Sequence, residues 1–182
     1  MKQLILAFAG LAAIGAAQAQ TTADTTTHAY IGVGASTIKN DALDSYRTGF
    51  KLFGGYDFDQ NLGIEAGYTR IGKESETFIF GSAPYSYTTR GSNSYIAGKY
   101  TVPINDRFSA YGKLGVSQTV RKYSDNQFND YKSNQTGLYG ALGVKYKLNQ
   151  NMSVLAEYER NGKTKEVGAK ADSWTLGLSY GF

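Results

Sequence analysis

The sequence predicts an all-β protein, an eight-stranded antiparallel up-and-down transmembrane β-barrel, on three observations. The chain of 182 residues contains 22 glycines and 15 tyrosines, with only two prolines and no cysteine, a composition that suits β-structure. Apolar and small or polar residues alternate along eight segments, as in strands whose two faces meet different surroundings. The connections between these segments are alternately short and long.

The alternation is weakest in the first segment and clearest in the last. Segment 174–182 places five large apolar residues on one face and only Thr, Gly and Ser on the other. In chain order, the apolar-face residues of the other seven segments are Ala29, Ile31, Val33, Ala35; Phe50, Leu52, Gly54, Tyr56, Phe58; Leu62, Ile64, Ala66, Tyr68; Ile96, Gly98, Tyr100, Val102; Phe108, Ala110, Gly112, Leu114, Val116; Leu138, Gly140, Leu142, Val144, Tyr146, Leu148; and Met152, Val154, Ala156, Tyr158.

The short connections are predicted to be tight turns, because they are built from turn-forming Asn and Asp. They lie at 59–61, 105–107 and 149–151. Longer polar loops are predicted at 37–46, 72–91, 118–135 and 161–172. Within 72–91, aromatic residues flank a Gly-Ser-Ala-Pro turn, which indicates two strands projecting beyond the membrane. Short turns at one end and long loops at the other are typical of an up-and-down barrel.

Residues 1–19 have the pattern of a cleavable signal peptide. Lys2 precedes an apolar stretch at 4–16, and a small-x-small tripeptide ends at Ala19. The stretch is shorter than the roughly 20 residues of a membrane-spanning helix. A buried N-terminal helix is the alternative, although no polar face interrupts the run. We expect export with cleavage after Ala19, a flexible segment at 20–27 and a barrel over 28–182.

Alternation alone does not distinguish a membrane barrel from a soluble barrel with its apolar face inside. Three features favour the membrane barrel. Aromatic residues of the apolar face gather near the segment ends, as in the two interfacial girdles of outer-membrane barrels. The opposite face mixes many glycines with charged residues, which suits a narrow lumen. The terminal Phe and its alternating hydrophobic residues resemble the sorting signal of such barrels, with the residues Trp174, Leu176, Leu178, Tyr180 and Phe182.

The motifs Gly-Gly-Tyr-Asp-Phe at 54–58 and Leu-Gly-Ile-Glu-Ala-Gly-Tyr at 62–68 resemble the second and third strands of OmpA-type transmembrane domains. Segments 97–104, 111–115 and 176–182 fit the same OmpA/OmpX-like family of eight-stranded outer-membrane barrels. The resemblance covers essentially the whole mature chain. OmpA itself continues into a periplasmic peptidoglycan-binding domain, whereas this sequence ends with the barrel, so a role in cell-wall anchoring is not expected.

The resemblance also implies an ion cluster inside the barrel, with Glu65 and Lys99 matching the charged lumen positions of the family best. Isolated buried charges are costly and need partners or water. Asp57 and Glu159 near the strand ends could offset an excess of lysine. The cluster either fills and fixes the lumen or gates a narrow water- and ion-conducting path, and eight strands leave no room for an open diffusion pore. The predicted cluster consists of Lys51, Glu65, Lys99, Lys113, Lys145 and Glu157.

Several kinds of chemistry are not expected from this sequence. The single histidine, His28, has only Asp24 as a nearby acid, which makes a catalytic Ser-His or acid-His arrangement a poor fit. We interpret His28 as a disordered or capping residue. One His and no Cys do not supply the three or four ligands of a zinc site. The basic residues are dispersed, so a nucleic-acid partner is not expected. No catalytic residue, metal or cofactor is expected either.

These patterns predict a monomeric, non-enzymatic protein of the outer membrane of a Gram-negative bacterium. Its expected role is envelope integrity and surface interaction through the extracellular loops. The expected partners are outer-membrane lipid and lipopolysaccharide, the barrel-assembly machinery during insertion, and a host or surface ligand at the Tyr-rich loops. The loops could instead form only a hydrated outer surface. The alternative functions are a narrow porin-like channel or transporter for ions or small hydrophobic solutes, and a lipid-modifying enzyme.

Overall fold

The predicted eight-stranded antiparallel barrel is confirmed. The computed structural model of the chain describes residues 29–40, 45–80, 83–125, 130–162 and 171–182. The predicted signal peptide, the segment 20–27 and His28 lie outside these residues. No helix among the residues described is long and apolar enough to cross a bilayer. The strands are β1 (Ala29–Asn40), β2 (Ser45–Asp57), β3 (Leu62–Phe80), β4 (Ala83–Pro103), β5 (Phe108–Asp125), β6 (Asp130–Lys147), β7 (Met152–Gly162) and β8 (Ala171–Gly181).

Each strand pairs with its neighbours in sequence, and the first and last strands close the barrel. The β1–β8 pairing runs from Tyr30 opposite Gly181 to Asn40 opposite Ala171. Closure matters in a membrane because backbone N–H and C=O groups find no water there and must pair with one another.

The apolar face of the barrel points outward, as predicted. Leu142 and Leu176 are 69% and 64% exposed, whereas the charged residues Lys51 and Glu157 are each 1% exposed. A soluble barrel would reverse this arrangement. The exposed apolar wall therefore fits contact with acyl chains, and the polar face lines the lumen.

Exposed aromatic side chains lie toward both ends of the wall. Phe58, Tyr100 and Phe182 are exposed near the tight turns, and Tyr68 and Trp174 are exposed toward the long connections. These positions match the two aromatic girdles of outer-membrane barrels. Short turns lie on the periplasmic side of such barrels, so the long connections of this chain lie on the cell-surface side.

The three tight turns share one hydrogen-bond pattern. The carboxylate Oδ1 of Asp59 accepts hydrogen bonds from the backbone N–H groups of Asn61 and Leu62, each at 2.7 Å. Asn105 and Asn149 make the equivalent pair of bonds in their own turns. The predicted turns are thus confirmed, and an Asx side chain closes each of them.

The strands at the cell-surface end are longer than the sequence pattern indicates. The segment 118–135 was predicted as a loop, but β5 continues to Asp125 and β6 begins at Asp130. The projecting strands predicted within 72–91 are present, and a register shift between Ile71 and Glu74 interrupts their pairing. Alternation fails to mark these extensions because a strand beyond the bilayer has no lipid-facing side.

Candidate functional site

Buried charged side chains form an alternating chain of ion pairs in the middle of the lumen. The ammonium group of Lys113 lies 2.6 Å from Glu65 Oε1 and also contacts Glu157. Lys51 Nζ lies 2.5 Å from Glu157 Oε1 and 2.9 Å from Glu159 Oε1. Each lysine therefore bridges two carboxylates, and Glu157 is shared between them. Such pairing satisfies charges that would be costly if they were buried alone.

The series of ion pairs continues toward the turn end of the lumen through Tyr30. Lys99 Nζ lies 2.6 Å from Asp57 Oδ1 and donates a 2.8 Å hydrogen bond to the Tyr30 hydroxyl. That hydroxyl donates to Glu65 Oε2, also at 2.8 Å. Glu65 and Lys99, the best matches to the family's charged positions, are thus connected by Tyr30 and make no direct ion pair. Lys145 is half-buried and makes no ion pair or hydrogen bond within the described parts of the chain.

Four acids match the four predicted lumen lysines once two further acids are included. Asp57 and Glu159 were expected only as offsets near the strand ends, yet Glu159 is almost fully buried within the network. Both lie on the lumen-facing parity of their strands, which is the signal that could have placed them in the cluster. The lysines are Lys51, Lys99, Lys113 and Lys145, and the acids are Asp57, Glu65, Glu157 and Glu159.

Aromatic rings close the cross-section around these charges. Tyr95 and Tyr139 stack with ring centroids 4.2 Å apart and planes 10° from parallel. The Lys51 ammonium lies 4.8 Å from the Tyr95 centroid, within range of a cation–π interaction. Tyr95 donates to Glu65, and Tyr139 donates to Glu159 Oε2 at 3.0 Å. We call this set the lumen plug, and its members are Lys51, Phe53, Glu65, Tyr95, Lys113, Tyr139, Glu157 and Glu159.

Glycine on the facing strand makes room for the rings of the plug. A Cβ atom at Gly67 would overlap the ring of Tyr95, its neighbour across the β3–β4 pair. The glycines of the lumen face therefore have a packing role here, because a narrow barrel accommodates large side chains only beside small ones.

Polar groups line the lumen on either side of the plug. On the loop side, Asn93 Nδ2 donates to Asn161 Oδ1 at 3.0 Å, and Thr175 Oγ1 donates to Glu159 Oε1 at 2.7 Å. On the turn side, a cavity of about 50 Å³ lies beside Tyr30 and Lys145. This cavity has room for only a few water molecules. Within the described ranges, no group of three or more His, Asp or Glu side chains could hold a metal ion.

The last strand presents the predicted sorting residues on its outer face. All five are exposed along the apolar wall, and Tyr180 and Phe182 pack edge to face at 5.3 Å. Their role in sorting stays a prediction. The five residues are Trp174, Leu176, Leu178, Tyr180 and Phe182.

The fold and the filled lumen define a class, the small transmembrane β-barrel with an apolar wall and an interior packed by side chains. The chain belongs to the outer membrane protein beta-barrel domain family, whose sequence profile matches residues 6–182. It is an eight-stranded barrel protein of the outer membrane. The resemblance to OmpA-type barrels seen in the sequence is thereby confirmed.

Two curated proteins of Serratia marcescens are similar to this chain. Outer membrane protein A is 26% identical over 162 residues, which cover 83% of this chain and 42% of that protein. Outer membrane protein F is 26% identical over 141 residues, covering 72% of this chain and 36% of that protein. The chain thus spans about two fifths of the length of these curated relatives.

Solved structures show the same fold at low sequence identity. Ail, the attachment invasion locus protein of Yersinia pestis, superposes with a TM-score of 0.59 at 24% identity, covering 85% of this chain and 97% of Ail. The N-terminal β-barrel domain of Pseudomonas aeruginosa OprF gives a TM-score of 0.59 at 14% identity, covering 84% and 97%. Neisserial surface protein A gives 0.55 at 19% identity, covering 85% and 97%. The likeness to these proteins concerns the fold.

Proposed function

We propose that this chain is a non-enzymatic barrel that contributes to envelope integrity and surface interaction through its cell-surface segments. The projection of four adjacent strands beyond the membrane carries the proposal. β8 has 11 residues and β4 has 21. At about 3.3 Å per residue and a tilt near 40°, β8 rises roughly 28 Å, enough to cross an apolar band of about 25 Å. β4 rises roughly 53 Å by the same geometry, so about half of it extends into water.

The projecting sheet of β3 to β6 offers two strand edges. Beyond Ile71, β3 pairs with β4 but no longer with β2 among the described residues. Before Leu138, β6 pairs with β5 but not with the described part of β7. An unpaired edge presents backbone donors and acceptors to an added extended segment, which is a common mode of peptide recognition. The edges at 72–80 and 130–137 therefore support a surface-interaction role.

Basic positions in the projecting sheet suggest a first probe. Arg121, Lys122 and Lys132 lie in the extended parts of β5 and β6, with Lys122 directly opposite Lys132 in register. The Ail structure was determined as a complex with the heparin analogue sucrose octasulfate. A polysulfated glycan is therefore a reasonable probe for this chain, since basic residues on adjacent strands attract such anions.

The test shortens the projecting sheet and leaves the barrel intact. The shortened protein carries two excisions. One removes 75–88 and joins the cross-strand partners Glu74 and Thr89 by an Asn-Gly turn. The other removes 121–133, together with its three basic residues, and joins the partners Val120 and Asn134 in the same way. In a strain lacking the natural protein, we expect the shortened protein to lose cell binding to immobilised heparin. We also expect it to restore detergent resistance less well than the intact protein does.

A two-residue Gly-Ser insertion after Asp106, in a tight turn at the opposite end, is the control for general disturbance of the barrel. Heat-modifiable migration on gels and surface abundance must be equal among the three proteins. If the shortened protein binds heparin and restores detergent resistance as the intact protein does, the proposed role of the projecting sheet is wrong.

The alternative of a narrow channel has less support, because the lumen plug fills the middle of the barrel. The cavity of about 50 Å³ on its turn side does not amount to a through path. Planar-bilayer recordings distinguish the two functions, since a channel would show stable unit conductance and a filled barrel would not.

A further inference from the structure

A groove of about 600 Å³ runs across the outer wall near the loop end, on strands β2 to β5. Four of its residues form one transverse row in register: Phe50 is opposite Arg70, Arg70 is opposite Ser92, and Ser92 is opposite Val120. Gly72 is exposed next to this row. Because glycine has no side chain, the wall is concave between the larger neighbours.

The groove holds two arginines that have no counter-ion among the described side chains. Arg70 and Arg90 are both exposed, and neither makes an ion pair or a hydrogen bond within the described parts of the chain. Arg90 lies two residues from Ser92, the cross-strand partner of Arg70. Diagonal neighbours of this kind have Cα atoms about 7–8 Å apart, which lets two long side chains reach one ligand between them. Like charges at that distance repel each other until an anion neutralises them.

Two aromatic side chains, Phe50 and Tyr68, form an apolar floor of the groove beside the arginines. Phe50 and Tyr68 are 57% and 42% exposed on the outer wall. Tyr68 belongs to the loop-side aromatic residues, and Arg70 is two positions further toward the cell surface. The apolar floor therefore begins at the level of Arg70, opposite Phe50, and continues through Tyr68 toward the acyl chains, while the guanidinium groups are at headgroup depth.

We propose that this groove binds a phosphorylated lipid of the outer leaflet. The phosphate lies between Arg70 and Arg90, both guanidinium groups donate to its oxygens, and the Ser92 hydroxyl donates a further hydrogen bond. One acyl chain of the lipid lies along Phe50 and Tyr68. Guanidinium matches phosphate geometry with two parallel N–H donors, and the resulting bonds are charge-assisted. The amphiphilic shape of the groove favours a lipid over a free anion, since an anion leaves the apolar floor unused.

This site does not depend on the proposed role of the projecting sheet, because the groove lies on the barrel wall. The two can therefore fail separately. Shortening β3 to β6 by the excisions above leaves residues 50, 70, 90 and 92 in place, so lipid binding should survive that change.

The test is lipid binding by the full mature chain, measured by native mass spectrometry after release from detergent micelles. The probe is phosphatidic acid, and diacylglycerol with the same acyl chains serves as the lipid without phosphate. We expect the wild-type protein to retain phosphatidic acid and the variant with both Arg70→Gln and Arg90→Gln to bind it at least about tenfold more weakly. One charge-assisted hydrogen bond alone is worth about that factor.

Arg160→Gln is the matched control. Arg160 also faces outward near the loop end, on β7, but its Nε lies 3.8 Å from Asp172 Oδ1. This variant should bind phosphatidic acid as the wild type does. The single variants Arg70→Gln and Arg90→Gln provide the same comparison if the double variant does not fold.

Three results would overturn the proposal. Binding of phosphatidic acid by the double variant at wild-type strength would show that the arginines do not hold the phosphate. Equal retention of diacylglycerol would show an apolar surface that ignores headgroups. Displacement of the bound lipid by millimolar inorganic phosphate would show a site for free anions.

Discussion

Lys113 is the residue on which the lumen network depends most, because its ammonium group bridges Glu65 on β3 and Glu157 on β7. All three side chains are at least 95% buried. Without this ammonium group, the Glu65 carboxylate keeps only hydrogen-bond donors, and Glu157 loses one of its two cationic partners. Removing only one partner of a buried ion pair costs more stability than the intact pair contributes, because the other charge stays buried without its partner.

Lys113→Met should therefore lower the free energy of unfolding by about 3–5 kcal/mol. Urea titration of the protein in lipid vesicles measures this value. The only tryptophan, Trp174, is exposed on the outer wall and reports transfer out of lipid by fluorescence.

Lys145→Met is the control for this substitution. Lys145 also faces the lumen, but it makes no ion pair in the described structure, so its replacement should cost less than about 1 kcal/mol. Equal losses for the two variants would mean that the ion pairs of the plug do not stabilise the fold.

At the scale of the element, the three tight turns differ in one chemical respect. Asp59 is ionisable, whereas Asn105 and Asn149 occupy the equivalent positions in the other turns. Backbone N–H groups of Leu62 and Asn61 donate to the Asp59 carboxylate and lower its pKa in the folded state. A carboxylate whose pKa is lowered by folding stabilises the fold at pH values above its pKa in the unfolded chain. This stabilisation is lost as the pH falls through the pKa of the folded state.

Asp59→Asn should remove this pH dependence and keep the turn, because the amide oxygen can accept the same two hydrogen bonds. The urea midpoint of the wild type should fall more steeply between about pH 6 and about pH 2 than that of the variant. Other carboxylates titrate in both proteins, so the difference between the two curves reports Asp59. Parallel curves over this range would contradict the prediction.

At the scale of the whole molecule, stability depends on an apolar wall around a charged interior. The wall can contact acyl chains without burying a charge in lipid, because no charged residue lies among its described central residues, such as Leu114, Leu142 and Leu176. The interior tolerates four lysines because four carboxylates and several tyrosines surround them.

Leu142→Arg places a charge in the middle of this wall and should destabilise the folded barrel by about 2–4 kcal/mol. Leu148→Arg is the depth control, since Leu148 is exposed at the tight-turn rim, where the same change should cost about 0–1 kcal/mol. Urea unfolding from vesicles measures both. A cost that does not depend on depth would contradict the position assigned to the bilayer.

The sequence by itself determined the positions of the eight strands, the face of each strand that points outward, and the tight turns. Alternation such as that of segment 174–182 is a local property, and a one-residue slip would turn every apolar side chain inward. The turns at 59–61, 105–107 and 149–151 are equally local, because one Asx side chain closes each of them. The parity of Lys51, Glu65 and Glu157 was sufficient to place them in the lumen.

Only the tertiary structure decided which charges meet. Lys51 and Glu157 are 106 positions apart, and their contact depends on the stagger accumulated over all strands when the barrel closes. No local pattern contains that stagger. For the same reason the sequence did not show that Lys99 pairs with Asp57, or that Arg70 and Arg90 share one groove. The length of β3 to β6 beyond the membrane could not be predicted from the sequence either, because strands with water on both sides need no alternation of apolar and polar residues.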